Sequence, residues 1–109
     1  MVKIVLLCQY GASTGMLTQK IRQAAQERGI EAEVNAYSYS DVEKYVDQAD
    51  VMLLGPQIRF KKAEFEKKYA DKNTPFVVID TLDYGRMNGE GVLNVALQAI
   101  ENKYKKEKG

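Results

Sequence analysis

The 109-residue sequence contains no histidine, no tryptophan, two prolines and a single cysteine. Without histidine, Ser–His and Cys–His nucleophile pairs are excluded, and the chain itself cannot carry a phosphohistidine. We expect no metal and no other cofactor, because one cysteine and no histidine leave only carboxylates to bind zinc. One cysteine cannot form an internal disulfide, so secretion is not indicated and we expect a cytoplasmic protein.

Long hydrophobic runs and a strong net charge are also missing. No apolar run reaches the roughly 20 residues that a membrane-spanning helix needs, and no signal-peptide pattern opens the chain, so we expect no membrane insertion. The formal net charge of +1 gives no overall field that would attract nucleic acid. The basic residues 103–108 are most simply a solvated helix end. The length fits a single domain, 1–109, and no wide apolar surplus demands more than a monomer.

Apolar residues form four runs that alternate with segments of helical periodicity. The runs predict strands at residues 2–8, 31–37, 50–54 and 75–80. The first is apolar almost throughout, as in a strand buried on both faces, whereas the second alternates and is expected at the sheet edge. Strands that alternate with helices predict an α/β fold: a four-stranded open parallel sheet with helices on both faces and right-handed crossovers.

The helices are predicted from apolar spacing and from their start and stop signals. The first runs from Met16 to a stop at Gly29. The second opens with a capping box at Ser40 and buries Val42, Tyr45 and Val46. The third covers about 58–70, with Phe60, Ala63, Phe65 or Tyr69 turned inward. A turn-rich stretch over 81–89 leads to a last helix that buries Val92, Leu93, Ala96, Leu97 and Ile100.

Cys8 ends the first apolar run and is followed by a loop of mostly small and hydroxyl residues. A helix begins directly after the loop, and a helix N-terminus offers unpaired N–H groups and a positive field to an anion. The same field favours thiolate over thiol. The pattern predicts an anion cradle with a nucleophile at its edge, although a small apolar residue that finishes a core strand is the plain alternative. The predicted phosphate-binding residues are Gln9, Tyr10, Gly11, Ala12, Ser13 and Thr14.

Two further loops are expected beside Cys8, because open parallel sheets bind ligands beyond the carboxyl ends of their strands. These are 55–57 after the third strand and 80–82 after the fourth. Gln57 could contact the Cys8 loop or a partner, or serve structure alone. Asp80 could orient the loop or cap the next turn, and Tyr84 could face a partner or pack. The cations of residues 59–62 could attract a phosphorylated donor or line a solvated face.

The absence of common phosphate-binding motifs reduces the number of ligands that the loop after Cys8 could bind. Neither a Walker A loop nor a Gly-x-Gly-x-x-Gly fingerprint is present, which argues against ATP and dinucleotides. Low-molecular-weight tyrosine phosphatases share the predicted topology, but their loop places an arginine where this chain has Thr14, and neither proline follows an aspartate. A phosphocysteine formed here would therefore hydrolyse slowly, as a carrier requires. Three hypotheses remain: a phosphocarrier, a cysteine phosphatase-like hydrolase, and a passive anion-binding module.

The sequence resembles the IIB components of the bacterial sugar phosphotransferase system (PTS), lactose/cellobiose (chitobiose) class. The resemblance rests on Val5-Leu6-Leu7-Cys8 with Gly11, Ser13-Thr14 and Met16-Leu17, and on Ala49-Asp50-Val51, Leu53-Leu54-Gly55-Pro56-Gln57, Val78-Ile79-Asp80, Tyr84-Gly85 and Gly89-x-Gly91-Val92-Leu93. It covers nearly the whole chain. The loop departs from the usual pattern at Gln9-Tyr10, Ala12 and Gly15.

The resemblance implies a phosphotransferase component that accepts a phosphoryl group on Cys8. The donor would be a phosphohistidine on a IIA protein, and the acceptor would be a sugar bound by a membrane IIC partner. The cradle would consist of the amides of residues 9–14, assisted by the hydroxyls of Ser13 and Thr14. A β-linked disaccharide such as cellobiose, chitobiose or lactose would be the substrate class.

Overall fold

The four predicted strands form one parallel sheet. A computed structural model describes residues 1–9 and 15–108, the last three of these by their backbone alone. The sheet has the order β2-β1-β3-β4, and every neighbouring pair is parallel. This confirms the predicted α/β class and places β2 at an edge. The strands are β1 (Val2–Cys8), β2 (Ala32–Ser38), β3 (Val51–Leu54) and β4 (Phe76–Val78).

Helices follow each strand and return the chain to the amino edge of the sheet. They are α1 (Gly15–Glu27), α2 (Val42–Tyr45), α3 (Lys62–Lys68), α4 (Thr81–Gly85) and α5 (Gly89–Lys108), with 3₁₀ turns at Tyr39–Asp41, Pro56–Lys61 and Ala70–Lys72. After α1 the chain turns at Gly29, whose φ of 68° is the left-handed conformation that glycine adopts without strain. In the described part of the chain, no helix combines the length and the apolar character needed to cross a membrane.

An apolar layer covers each face of the sheet, as predicted. Alternate residues of β1 point to opposite faces, and Ile4 to Cys8 are all buried. One layer joins the sheet to α1 and α5, through Ile4, Leu6, Leu17, Ile21, Val92, Leu93 and Ala96. The other joins it to α2 and α3, through Val5, Leu7, Val42, Val46, Ile58, Phe65 and Tyr69. Leu97 and Ile100, predicted to be buried, lie partly exposed against the first layer.

The predicted capping box at Ser40 is wrong. The chain enters a 3₁₀ turn one residue earlier, and the side chain of Ser38 accepts a hydrogen bond from the Ser40 backbone N–H at 3.4 Å. Asp41 precedes α2 without a side-chain cap bond. Several hydroxyl and carboxyl residues stand in a row here, so the sequence does not show which of them caps. Tyr45 is only half-buried and stacks on Tyr37, with ring centroids 3.7 Å apart.

The predicted third helix differs in its start and in its buried face. A 3₁₀ segment occupies Pro56–Lys61, and Ile58 within it has non-helical backbone angles (φ −116°, ψ 23°), so α3 begins only at Lys62. Ile58, Phe65 and Tyr69 are buried, whereas Phe60 is 70% exposed and Ala63 is also exposed. The kink sets which side chains face the sheet, and apolar spacing alone does not reveal it.

The fourth strand and the turn-rich stretch also differ in detail. β4 spans three residues rather than the predicted 75–80, although Ile79 still donates its N–H to the Leu54 carbonyl at 2.8 Å. Residues 81–85, predicted as turns, form the short helix α4. Glycine and aspartate lower helix propensity here, and tertiary contacts of Tyr84 with the first apolar layer favour the helix instead.

Arg22 of α1 covers the exposed edge of β2. Its Nε donates to the Val34 carbonyl at 2.8 Å, and its Nη2 donates to the same oxygen and to Asn35 Oδ1. An edge strand presents unpaired backbone groups, and a charged donor satisfies one of them here. We expect Arg22→Gln to lower the free energy of unfolding by about 1–2 kcal/mol, measured by urea denaturation.

Arg28→Gln provides the matched control for Arg22→Gln. Its guanidinium donates to the exposed Asn94 side chain at 2.6 Å rather than to the sheet. Losing this exposed contact should cost about 0.5 kcal/mol or less. Equal losses in the two variants would contradict a specific role for Arg22 at the edge.

Candidate functional site

Cys8 is the last residue of β1 and lies in register with Ser38, the last residue of β2. Its side chain is 1% exposed. Of the predicted cradle residues, Gln9 is exposed, while Tyr10, Gly11, Ala12, Ser13 and Thr14 lie outside the described residues. α1 begins at Gly15, seven positions beyond the cysteine, and its first turn carries no acidic side chain that would offset the helix dipole. Along the chain, the cysteine therefore ends a strand and precedes a 13-residue helix.

Gly55 joins the loop after β3 to the end of β1. Its N–H donates to the carbonyl of Leu7, the residue before Cys8, at 2.9 Å. A methyl group on its Cα would lie 3.0 Å from Gln57 Oε1, 3.6 Å from the Leu7 carbonyl oxygen and 3.7 Å from Tyr84 Cε2. The loop after β3 and the helix after β4 thus meet beside the backbone that leads into the cysteine, where the topology predicts that they converge.

The three supporting residues differ in their surroundings. Gln57 is exposed, and its amide folds back toward Gly55. Asp80 is exposed at the N-cap position of α4, where it forms no side-chain cap bond. Tyr84 is half-buried and packs against the layer shared with α1 and α5. Gln57 and Tyr84 therefore both lie beside Gly55, close to Leu7, and their roles toward Cys8 remain predictions.

Asn88 fixes the helix that carries Tyr84, a feature absent from the sequence analysis. Its Oδ1 accepts the N–H of Gly91 at 3.1 Å, which is the geometry of an N-cap for α5. Its Nδ2 donates to Asp83 Oδ1 at 3.1 Å, and its backbone N–H donates to the Asp83 carbonyl. α4 and α5 are thereby tied together. The Asn-Gly pair at 88–89 was a usable signal, because asparagine is a preferred N-cap residue.

A half-buried tyrosine near the end of β2 and a group of cations after β3 set the electrostatics of this edge. Burial raises the pKa of Tyr37, and Tyr45 and Glu33 add to the effect. Residues 55–63 contain three cations and no acidic residue. Among the residues that the structure describes, no group of three or more cysteine, aspartate or glutamate side chains is placed to hold a metal ion.

Bulk at position 55 should disturb both neighbouring segments. Gly55→Ala needs only the end of the Gln57 side chain to shift, so we expect a change in unfolding free energy below about 1 kcal/mol. Gly55→Val adds two methyl groups that also meet Leu7 and Tyr84, and it should cost about 1–3 kcal/mol. Urea unfolding measures both, and alkylation of Cys8 by iodoacetamide should change rate only in the valine variant. Equal effects of alanine and valine would contradict this packing.

The fold and the site define a class of protein. It is a parallel α/β domain with one cysteine at the carboxyl edge of the sheet, seven positions ahead of the first residue of a helix, and open sheets of this kind bind ligands at that edge. The chain belongs to the PTS lactose/cellobiose-specific IIB subunit family, whose sequence model matches residues 3–95.

Alignments with named relatives cover most of this chain and most of each relative. The chain is 36% identical to the PTS oligo-beta-mannoside-specific EIIB component of Bacillus subtilis strain 168, over 94% of this chain and 99% of the relative. It is 40% identical to the galactose-specific EIIB component of Lactococcus lactis subsp. cremoris, over 85% of this chain and 91% of the relative. The solution structure of a cellobiose-specific phosphotransferase IIB protein from Borrelia burgdorferi matches with a TM-score of 0.78 and 42% identity, over 94% of each chain.

The family assignment confirms the resemblance stated from the sequence. The chain is a IIB component of a sugar PTS of the lactose/cellobiose class, and such components are phosphotransferases of sugar transport. The solved structure that aligns over 94% of the chain also agrees with the four-stranded fold.

Proposed function

We propose that Cys8 is the residue on which this chain carries a phosphoryl group during sugar uptake. The donor is a phosphohistidine on a IIA protein, and the acceptor is a sugar presented in the cytoplasm by a membrane IIC partner. The observation that carries the proposal is the placement of the chain's one cysteine at the carboxyl end of β1, ahead of the N-terminus of α1.

Each transfer exchanges one bond to phosphorus for another. The Cys8 thiolate attacks phosphorus in line, the S–P bond forms, and the N–P bond of the donor breaks. The electron pair of that bond stays on the imidazole nitrogen, which takes a proton in place of the one the thiol has lost. In the second transfer a sugar hydroxyl oxygen attacks phosphorus and loses its proton, and the thiolate leaves with the S–P electron pair. Positioning and charge stabilisation supply most of the catalysis in such reactions.

The phosphoryl group on Cys8 is held by a cradle that residues 9–14 supply. Their backbone amides and the hydroxyls of Ser13 and Thr14 donate to its oxygens. Support comes from α1, whose dipole favours an anion at Gly15 and whose first turn is free of acidic side chains. Gln57, Asp80 and Tyr84 are the proposed supporting residues of this cradle, and Gln57 and Tyr84 both lie beside Gly55.

The sequence lacks residues that a cysteine phosphatase would need, and this favours a carrier. Thr14 stands at the position where the phosphatase loop has its arginine, and no Asp-Pro pair supplies a general acid. Without both groups, water attacks the S–P bond slowly, and the phosphoryl group persists until an acceptor arrives. Family membership supports the same choice.

The sugar is proposed as a class rather than a single compound. Relatives of similar identity are named for oligo-beta-mannoside, galactose and cellobiose, so the IIB sequence does not fix the sugar. We propose a β-linked disaccharide such as cellobiose, chitobiose or lactose, selected by the membrane partner.

Intact-mass spectrometry of the purified chain after incubation with a phospho-IIA protein tests the proposal. The expected result is a gain of one phosphoryl group, located on Cys8 by peptide mapping under mild conditions. Labelling of any other residue at the same rate, or no labelling by IIA donors of the lactose/cellobiose class, would reject it. Release of inorganic phosphate at the rate of labelling would favour the hydrolase instead.

A further inference from the structure

The segment after β3 presents an exposed aromatic ring among positive charges. Phe60 is 70% exposed, although it belongs to an apolar residue type that folding usually buries. It stands among Arg59, Lys61 and Lys62, and residues 55–63 contain no acidic residue. We call the four residues 59–62 the Phe60 surface.

A lysine ammonium lies between the Phe60 ring and the segment after β2. Lys61 Nζ lies 5.9 Å from the Phe60 ring centroid and 5.6 Å from the centroid of Tyr39, which follows β2. The same ammonium group pairs with Glu64 at 3.3 Å. Lys61 thus links the segments after β2 and β3, and the Phe60 ring beside it stays open to contact.

Arg59 supplies the uncompensated charge of this surface. Lys61 and Lys62 pair with Glu64 and Glu66, at 3.3 and 3.8 Å. Arg59 is exposed and forms no hydrogen bond or ion pair with any residue that the structure describes. An aromatic ring next to an unpaired guanidinium is a combination enriched at protein interfaces.

The position of the surface brings it under any protein that reaches Cys8. Gly55 is hydrogen-bonded to Leu7, the neighbour of Cys8, and Phe60 follows five residues later along a 3₁₀ segment, at most about 10 Å away. A typical protein interface covers about 800 Å² on each partner, which is a disc of about 16 Å radius. Adding the spacing of about 5 Å between neighbouring strands places Phe60 within about 15 Å of the end of β1, so a partner of this size centred on Cys8 reaches the Phe60 surface.

Two more exposed apolar side chains flank the same edge of the sheet. Met16 lies in the first turn of α1 and is 60% exposed, and Leu82 lies in the first turn of α4 and is 62% exposed. Both follow the carboxyl end of a strand, as Phe60 does. Exposed apolar side chains that gather at one edge indicate a contact surface, whereas scattered ones need no explanation.

We infer that the Phe60 surface is the docking site of the phosphohistidine-bearing donor, an inference that rests on the proposed function of Cys8. Charge complementarity selects this occupant, because a phosphoryl group brings about two negative charges to the contact, whereas the sugar acceptor is neutral. The positive surface attracts the loaded donor. It attracts the spent donor less, because the negative charge then resides on Cys8 of this chain.

Initial rates of phosphoryl transfer to the chain, measured as a function of phospho-IIA concentration, test the inference. Phe60→Ala should raise KM for the donor about tenfold with kcat unchanged, as expected for loss of an interface anchor. Arg59→Gln should lower kcat/KM about three- to fivefold at low salt, and the difference should vanish near about 0.5 M NaCl, where surface charges are screened. Alkylation of Cys8 and the unfolding midpoint should match wild type in both variants.

Matched controls separate docking from general surface effects. Tyr104→Ala removes a 57% exposed aromatic ring near the end of α5, and Lys67→Gln removes an exposed cation in the last turn of α3. Both should transfer at the wild-type rate. Equal losses in controls and test variants, or normal transfer by both test variants, would overturn the inference.

Three outcomes separate an error in the partner from an error in the proposed function. Normal loading by phospho-IIA but slow delivery to sugar in membranes that contain IIC would assign the surface to the acceptor and overturn donor docking. Failure of the wild-type chain to accept any phosphoryl group would overturn the proposed function and this inference with it. Normal wild-type labelling with unaffected variants would overturn the inference alone.

Discussion

Gly89→Ala is expected to lower the free energy of unfolding by about 3 kcal/mol or more, the upper end of the cost of overpacking. Gly89 is buried in the first turn of α5. A methyl group on its Cα would lie 2.3 Å from the carbonyl carbon of Lys20, 2.4 Å from the carbonyl oxygen of the same residue and 2.7 Å from the backbone nitrogen of Ile21. These are backbone atoms of α1, so no side-chain rotation relieves the clash.

The loss is large relative to the whole stability of such a domain, which is about 5–15 kcal/mol. Urea unfolding measures it directly, and the thermal midpoint should fall by more than about 10 °C. Gly85→Ala is the matched control, because a methyl group at Gly85, in helix α4, would meet nothing within 4 Å. It should be neutral or stabilising, since alanine favours helix over glycine. A loss below about 1 kcal/mol for Gly89→Ala would contradict the close contact of α1 and α5.

The Gly89 contact also bears on the site. α1 begins directly after the loop that follows Cys8, and α5 holds α1 against the sheet at Lys20 and Ile21. If the Gly89→Ala variant relieves the clash by tilting α1, it should therefore keep part of its stability but lose phosphoryl transfer to Cys8. The rate of phosphoryl acceptance, measured beside the unfolding curve, separates these two effects.

The sheet could be predicted because its signals are local. The apolar run of β1 is unbroken because both of its faces are buried, and the alternation in β2 follows from its place at the edge. Gly29 ends its helix by a left-handed φ that few other residues adopt. Each of these features follows from a few neighbouring residues and needs no knowledge of distant contacts.

The errors arise where distant contacts decide the outcome. Phe60 was predicted to turn inward, but the backbone angles of Ile58 rotate the buried face, and Ile58 is fixed by packing beneath α3. The choice of Ser38 rather than Ser40 as the cap after β2 is a local exception, because several candidate cap residues stand in a row. The closeness of Gly55 to Leu7 and of Gly89 to Lys20 depends on the three-dimensional meeting of separate elements, and a single sequence carries no signal for it.

The candidate site, too, could be predicted only in its local and topological features. Position along the chain predicts that Cys8 lies at a strand end with two loops nearby, because topology alone brings the carboxyl ends of parallel strands together. It does not predict that Gln57 and Tyr84 both lie beside Gly55, or that Arg59 stands without an ion-pair partner among the described residues. These details depend on side-chain packing and are the ones on which the proposed partner contact rests.

Cys8→Ser should greatly slow the transfer of a phosphoryl group from a phospho-IIA protein to this chain. A hydroxyl needs a general base to become a nucleophile, whereas a thiol ionises near neutral pH. The chain contains no histidine to act as that base. The contribution of such a base is on the order of 10²- to 10⁴-fold, so we expect the single-turnover rate from phospho-IIA to fall by about that factor or more.

The buried position of Cys8 requires a stability control for the serine variant. The side chain is 1% exposed, and burying a hydroxyl costs more free energy than burying a thiol, which behaves as a small apolar group. Cys8→Ala removes the nucleophile without adding a polar group, and it should unfold at higher urea than Cys8→Ser while accepting no phosphoryl group. If a folded alanine variant is labelled as fast as wild type, the phosphoryl group rests on another residue, and Cys8 is then a core residue that closes β1.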